Sequence, residues 1–447
     1  MKKLINLIFS IMCITALFTV TFSSCSDDDE NRAYESVQIV GVKVNNELYT
    51  PSSVSATETT VLIPAGVDLS KAKLQLLVIN GTANFINDQE YDARNPLDLT
   101  LNGFDGTTVQ TKLRIQSPPK LVDVYKRQWL DCAIQGGEFL KKYGHDGNYN
   151  WYFSLDRSGR PLVEPYNIFS YTFATMAFGQ LSLATGNQEY ADIARKTFDI
   201  ILSKVDNPKG KWNKLHPGTR NLKNFALPMI LCNLALEIEH LLDESYLKET
   251  METCIHEVME VFYRPELGGI IVENVDVDGS LVDCFEGRQI TPGHAIEAMW
   301  FIMDLGKRLN RPELIEKAKD TTLTMLNYGW DKEYGGIYYF MDRNGCPPQQ
   351  LEWDQKLWWV HIETLISLLK GYQLTGDQKC LEWFEKVHDY TWGHFKDKEY
   401  PEWYGYLNRR GEVLLPLKGG KWKGCFHVPR GLYQCWKTLE EITNIVS

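Results

Sequence analysis

Three segments in the second half of the chain contain side chains that can move or direct a proton. The residues are His294 in segment 291–297, Glu363 in segment 351–363 and His427 in segment 423–430. They are 69 and 64 residues apart, and each lies near the start of a predicted helix. Such regular spacing indicates a repeated unit whose equivalent positions face a common centre.

Two histidines and a glutamate around one cavity suit proton transfer near neutral pH. Inverting a carbon next to a carbonyl needs a base on one face of the carbon and an acid on the other. Imidazoles on separate helices can flank a substrate in this way, and no cofactor is required. Glu297 follows His294 by three residues and shares its helix face, so it joins the candidate set of His294, His427, Glu363 and Glu297.

Aromatic and charged side chains near these segments could bind a sugar by stacking and by holding oxygens. The predicted substrate-binding residues are Arg288, Glu352, Trp353, Lys356, Trp359 and Trp403. Three alternatives stand beside this interpretation: structural histidines, a metal site, and tryptophans that only fill a core. His361 lies on nearly the opposite helix face from Glu363, so it is not predicted to be catalytic.

The elements that must position these residues are paired helices, because hydrophobic residues recur with helical periodicity from Trp129 onward. Helices are predicted at 128–143, 167–184, 188–204, 222–242, 245–261, 292–309, 311–328, 354–374, 377–394 and 428–441. Short β-prone segments with turns near Asp156, Asp276, Asp342 and Asn408 lie between alternate pairs, 120, 66 and 66 residues apart. One helix pair per repeat predicts an all-α toroid, and six pairs would close an (α/α)6 barrel at 126–447.

Residues 34–118 have a different pattern. Short stretches of alternating, β-branched residues are separated by turn signals such as Asn45-Asn46 and Asn80-Gly81. This pattern predicts a small antiparallel, Ig-like β-sandwich without a catalytic cluster.

The chain begins with Met1-Lys2-Lys3, and the uncharged apolar stretch 4–22 follows it, as in a secretory signal. Small residues before Cys25 and an acidic tether after it predict a lipoprotein signal over 1–25. Cys25 would then carry a lipid that anchors the chain to a membrane, in the periplasm or at the cell surface. An ordinary signal or an uncleaved anchor are the alternatives. The helical part looks cytoplasmic instead, because most of its cysteines lie in apolar helices and none forms a CxxC pair.

The formal net charge of −11 argues against nucleic acid as a partner, since phosphate binding requires a basic surface.

Residues 129–447 resemble the N-acylglucosamine 2-epimerase family of (α/α)6 barrels. The matching segments include Pro292-Gly-His-Ala-Ile-Glu297, Gln350-Leu-Glu-Trp353, Lys356-Leu-Trp-Trp359 and His427-Val-Pro-Arg430. The N-acetylglucosamine branch fits best. The resemblance implies reversible conversion of N-acetyl-D-glucosamine to N-acetyl-D-mannosamine. It also implies that His294 and His427 are the acid/base pair, that Glu363 and Glu297 assist, and that a nucleotide such as ATP can act as an activator. The expected partners are a small sugar and a second copy in a homodimer.

One departure from the family is the first helix pair. A repeat step back from the helix near 167 falls at Leu97–Gly103, which is a predicted strand and turn. The toroid is therefore expected to lack its first pair, whose inner helix in the family carries a substrate-binding arginine. Another chain could fill the gap, the chain could be a fusion with impaired activity, or two unrelated pieces could be joined near 123–128. The functional alternatives are an aldose–ketose isomerase and a surface lipoprotein that only binds glycan.

Overall fold

A computed structural model describes residues 36–55, 57–63, 69–116, 121–213, 216, 219 and 221–446. The predicted signal over 1–25 and its Cys25 lie outside these residues. The chain divides into two compact units, one ending at Gln135 and the other beginning at Gly136. Within the described ranges, none of the helices combines the length and apolarity needed to cross a membrane.

From Gln38 to Gln116 the first unit consists of β-strands, and it also includes the start of the helix that begins at Leu121. The strands are β1 Gln38–Val44, β2 Glu47–Tyr49, β3 Pro51–Val54, β4 Glu58–Leu62, β5 Ala72–Ile79, β6 Gly81–Ala83, β7 Gln89–Tyr91, β8 Leu97–Gly103 and β9 Thr108–Gln116. Two sheets form, in the orders β2-β1-β5-β7 and β3-β4-β9-β8-β6. Asn45 and Asn46 take positive φ angles of 53° and 75° in the β1–β2 hairpin, which asparagine tolerates better than most residues.

Alternate residues of these strands share one hydrophobic core, which includes Val42, Leu74 and Leu113. The prediction of a purely antiparallel module is wrong at one place, because β4 and β9 pair in parallel. These strands are far apart in sequence, so no hairpin turn dictates their relative direction.

The helical part contains every helix that the periodicity predicts. The α-helices are α1 Leu121–Tyr143, α2 Phe169–Thr185, α3 Gln188–Ser203, α4 Ala226–Glu237, α5 Glu244–His256, α6 Pro292–Arg308, α7 Pro312–Gly329, α8 Trp358–Thr375, α9 Gln378–His394 and α10 His427–Val446, with a short further helix at Phe285–Arg288. Short 3-10 helices lie at Gly210–Trp212, Glu239–Leu241 and Pro265–Leu267, and a π-helical segment lies at Glu257–Phe262.

Inner and outer helices alternate along the chain. Each of α2, α4, α6 and α8 packs on the helix that follows it, and α2, α4, α6, α8 and α10 pack in succession as a row of inner helices. The inner helix α8 is buried on almost every side, whereas the outer helix α9 buries one stripe that includes Cys380, Phe384, Val387 and Thr391. The pattern is that of an α/α toroid.

Short strands lie directly before three inner helices. They are β12 Leu222–Asn224, β16 Gln289–Ile290 and β18 Lys356–Leu357, which pair with β15 Asn274–Asp276, β17 Met341–Asp342 and β19 Tyr406–Leu407. The remaining short strands are β10 Ser154–Leu155, β11 Pro161–Val163, β13 Tyr263–Arg264, β14 Ile270–Ile271 and β20 Val413–Leu415. The helix predicted from residue 222 starts later, at Ala226, because its first residues form β12.

Candidate active site

His294 and His427 lie at the N-terminal ends of two inner helices, α6 and α10, and α8 packs between these helices. Both rings lie close to the indole of Trp359 on α8, with centroid separations of 5.3 Å for His294 and 5.8 Å for His427. Trp359 is only 8% exposed, whereas the imidazoles keep 27% and 21% of their side-chain surface open. The two imidazole rings thus pack against the same indole.

Two glycines permit this close approach of the helices. A Cβ atom on Gly293 would come within 2.7 Å of Val360 and 2.8 Å of the Trp359 ring, and a Cβ on Gly431 would overlap Ile362. Real Cβ atoms do not approach other atoms so closely, so each position requires glycine. The sequence therefore brings α6 and α10 against α8 at the level of the two histidines.

Each histidine donates to its own buried carboxylate. His294 Nδ1 lies 3.1 Å from Glu273 Oε1, and His427 Nδ1 lies 2.7 Å from Glu363 Oε1. A carboxylate only accepts, so Nδ1 carries the proton in each ring and Nε2 remains for proton exchange. Burial lowers the pKa of His294, but the charge and hydrogen bond of Glu273 outweigh this effect and raise it above its usual value.

Glu363 is fully buried and is held by three donors. Besides His427, it accepts from Trp300 Nε1 at 3.0 Å and from Arg430 Nη2 at 2.6 Å. Burial alone would raise the pKa of Glu363, but the charge of Arg430 and the hydrogen bond from His427 lower it to about 2. Glu363 is therefore ionised throughout the neutral range.

Glu297 contacts the same Arg430 nitrogen as Glu363, with Nη2 3.3 Å from Glu297 Oε1. Burial and the charge of Glu363 raise the pKa of Glu297. One ligand atom from each of Glu297, Glu363 and His427 lies within 4.8 Å of the others, as in a metal site. The guanidinium of Arg430 contacts both carboxylates, however, and supplies the positive charge that a metal would bring.

Of the predicted sugar-binding residues, Trp359 packs against both imidazoles, and Glu352 and Trp353 lie near Tyr339. Burial, followed by the charges of Glu352 and Glu273, raises the pKa of Tyr339, and the Tyr339 ring packs 6.2 Å from that of Trp359. Glu352 is exposed, and the carbonyl of its neighbour Trp353 accepts from the backbone N–H of Tyr339 at 3.1 Å. Glu352 and Trp353 thus lie beside Tyr339.

The structure places three other predicted sugar-binding residues in structural contacts. Lys356 is fully buried, with Nζ 3.2 Å from Asp331 Oδ2. Arg288 pairs with Asp342 and Asp283, at 2.9 Å each. Trp403 is 5% exposed and packs on Trp392 and Phe395 in the core. The polar groups or rings of these three residues are engaged within the protein, and their sugar contacts stay a prediction.

Three residues of the site were not predicted as site residues. Glu273 lies in the β-prone segment before α6, Trp300 lies one turn after Glu297, and Arg430 lies one turn after His427. The helical spacings 297/300 and 427/430 were a usable signal, since residues three apart share a helix face. His361, by contrast, is buried with Nδ1 2.7 Å from the Leu357 carbonyl oxygen and Nε2 accepting from Ile337 N–H, and its role is structural.

Comparison with known proteins agrees with the fold and with the segments that form this site. The family model of N-acylglucosamine 2-epimerase matches residues 121–429. N-acylglucosamine 2-epimerase of Mus musculus is 39% identical over 316 residues, which are 69% of this chain and 75% of that protein. The Homo sapiens protein of the same name is 39% identical over 318 residues, covering 70% and 74%.

Solved structures show the same fold at low identity. Cellobiose 2-epimerase from Bacillus thermoamylovorans B4167 superimposes with a TM-score of 0.59 at 18% identity, over 72% of this chain and 84% of that one. A D-mannose isomerase gives a TM-score of 0.57 at 17% identity, over 72% and 82%. The chain belongs to the N-acylglucosamine 2-epimerase family. It is an isomerase, a sugar 2-epimerase.

Proposed function

We propose that the chain interconverts N-acetylglucosamine and N-acetylmannosamine by moving the proton at C2. The observation that supports this proposal is the pair of imidazoles on one indole, each with Nδ1 on a buried carboxylate. The mouse and human relatives are named for the same class of substrate.

The proposed reaction acts on the open-chain aldehyde. Nε2 of one histidine takes the C2 proton, and the electrons of the C2–H bond form the C1–C2 double bond of an enolate while the C1 oxygen becomes the anion. The other histidine then returns a proton to the opposite face of C2, and the C1 carbonyl forms again. No electrons leave the substrate, so no redox cofactor is required.

The test is deuterium exchange in D2O with variants of each base. Wild type should place deuterium at C2 of both epimers and interconvert them. His294→Asn and His427→Asn should each abolish interconversion, and each should still exchange the C2 proton of one epimer only, a different one in each variant. His256→Asn changes an exposed histidine of α5 and serves as the control. Wild-type epimerisation by both variants would refute the two-base proposal.

An aldose–ketose isomerase is the second candidate. D-mannose isomerase of Marinomonas mediterranea is 25% identical over 337 residues. With a sugar such as mannose, whose C2 carries a hydroxyl group, the intermediate would be an enediolate. Addition of the proton at C1, with transfer of the O2 proton to O1, would then give a ketose. Incubation with each sugar, followed by chromatography, distinguishes the two activities. An aldose–ketose isomerase would convert mannose to fructose, whereas the epimerase would convert N-acetylglucosamine to N-acetylmannosamine.

We also propose that the toroid lacks one helix pair between α10 and α2. Three large apolar side chains on these two inner helices are exposed: Phe173 at 40%, Leu183 at 60% and Tyr433 at 52%. A sixth inner helix would cover this apolar surface. Without that helix, we expect the chain to bind glycan but to catalyse epimerisation slowly. Replacing residues 34–120 with the first helix pair of the mouse relative should raise the melting temperature and activity. If neither the melting temperature nor the activity changes, the proposal that a helix pair is missing is wrong.

The regulatory and anchoring proposals have separate tests. Nucleotide activation follows from the family alone, and assays with and without ATP decide it. Lipidation of Cys25 and membrane attachment are tested by incorporation of labelled fatty acid into wild type and C25S. A homodimer is tested by light scattering.

A further inference from the structure

Arg430 lies at the centre of the buried charge in the site, one turn after His427. Its guanidinium carbon is 4.3 Å from the ring centroid of Phe426 and 5.3 Å from that of Trp300. Only 15% of the side chain is exposed. A single cation is thus enclosed by aromatic rings and contacts two carboxylates.

The two carboxylates share this cation unequally. Glu363 has the shorter contact, 2.6 Å, and also accepts from His427 and Trp300. Glu297 has the longer contact, 3.3 Å, and in the described part of the chain this is its one hydrogen bond. Like charges repel strongly away from water. Because the two buried carboxyl groups share one arginine, the favoured state has one of them ionised and the other protonated.

We propose that Arg430 is a positioning residue that decides which carboxylate is charged: it holds Glu363 as the anion and leaves Glu297 as the neutral acid. The proposal rests on the epimerase function proposed above and adds a proton donor to it. The O–H bond of Glu297 breaks as an O–H bond forms on O1 of the enolate. The proton returns to Glu297 when the C1 carbonyl forms again, so the cycle consumes none.

Further charged and titratable groups lie around Arg430, Glu363 and Glu297, on the helices that pack against them and on the segment before α6. They are Glu237 on α4, His294 and Asp304 on α6, Lys370 on α8, Cys435 and His427 on α10, and Glu273 before α6. Lys370 is paired with Asp304 at 2.9 Å. Among the described lysines and arginines, Arg430 is thus the one that contacts both Glu363 and Glu297.

Infrared spectroscopy of the full chain tests the charge assignment without substrate. At neutral pH, the difference spectrum of wild type minus Glu297→Gln should contain the C=O stretch of a protonated carboxyl group. The matched control is Glu260→Gln, which changes an exposed glutamate and should leave no such band. If the difference shows only a carboxylate band, Glu297 is ionised and the proposal is wrong. Because this readout needs no turnover, it remains decisive even if the chain proves inactive as an epimerase.

Kinetics test the role of the arginine. Arg430→Gln should lose at least a hundredfold in kcat and move the acidic limb of kcat/KM upward by at least one pH unit, because Glu363 then takes a proton more readily. Arg430→Lys keeps the charge, so the acidic limb of its kcat/KM profile should stay within half a pH unit of wild type. This variant also provides the test if Arg430→Gln does not fold. An unshifted limb in Arg430→Gln, or one shifted equally in Arg430→Lys, would show that Arg430 only packs the site.

Discussion

Replacing Glu273 by glutamine should impair catalysis through His294 while leaving the fold intact. The Glu273 side chain is 6% exposed, and its two oxygens lie 3.1 and 3.2 Å from His294 Nδ1. Glutamine has nearly the same shape, so the main change is the loss of a charge-assisted hydrogen bond. It also allows the imidazole to adopt the other tautomer.

The magnitude follows from the strength of such a bond. Hydrogen bonds to charged groups contribute about 1.5–3 kcal/mol, and each ~1.4 kcal/mol changes a rate by about tenfold. Glu273→Gln should therefore lower kcat by about 10- to 150-fold, with a small change in KM, because the residue acts on the base and not on the sugar.

The pH dependence has a definite sign. Glu273 raises the pKa of His294, so it stabilises the protonated imidazole. The stability that this pair contributes is present below the unfolded pKa of about 6.5 and is lost as pH rises through the folded value. The variant should therefore lose more stability at pH 6 than at pH 9, and the limb of kcat/KM that reports His294 should move to lower pH.

The assay is deuterium incorporation at C2 of N-acetylglucosamine, read by NMR, together with urea unfolding at the two pH values. Glu260→Gln is the matched control, since Glu260 lies 3.0 Å from His256 Nδ1 in an exposed pair. An exposed pair of this kind contributes about 0–1 kcal/mol. Equal effects of the two substitutions on kcat would refute the argument that Glu273 orients the catalytic imidazole.

Three further predictions concern burial and charge. Lys356→Met should lower the free energy of unfolding in urea by about 3 kcal/mol, because the buried Asp331 loses its ion pair with Lys356. The same substitution should change KM for the sugar less than twofold. Burial lowers the pKa of His361 to about 3, so stability should fall as pH drops from about 6.5 towards 3, and His361→Gln should flatten that dependence. A chelator should leave activity unchanged, because Arg430 already balances the carboxylates; loss of activity restored by one divalent metal would overturn this expectation.

Local periodicity was sufficient for the helices and for the histidines at their ends. Pro292 and Gly293 mark the start of α6, and apolar residues at helical spacing distinguish the buried α8 from the amphipathic α9. These signals depend on neighbours within a few turns, which a single sequence shows directly.

The sequence-based prediction of sugar contacts rests on residue types alone. Lys356 and Trp403 have the residue types of sugar-binding groups, but type alone does not say which way a side chain points. β18 pairs Lys356 with Leu407, and the Lys356 ammonium lies on Asp331 instead of in the pocket. Only the strand register and the packing around it decide that direction.

The sequence by itself determined the order of helices, the near-equal repeat, and the presence of His294 and His427 at equivalent positions. The tertiary structure decided which groups complete the site. Glu273 meets His294 across 21 residues, and Arg430 meets Glu363 across 67. Such contacts form only when separate elements pack, and the proton affinity of a buried group depends on the charges that packing brings beside it.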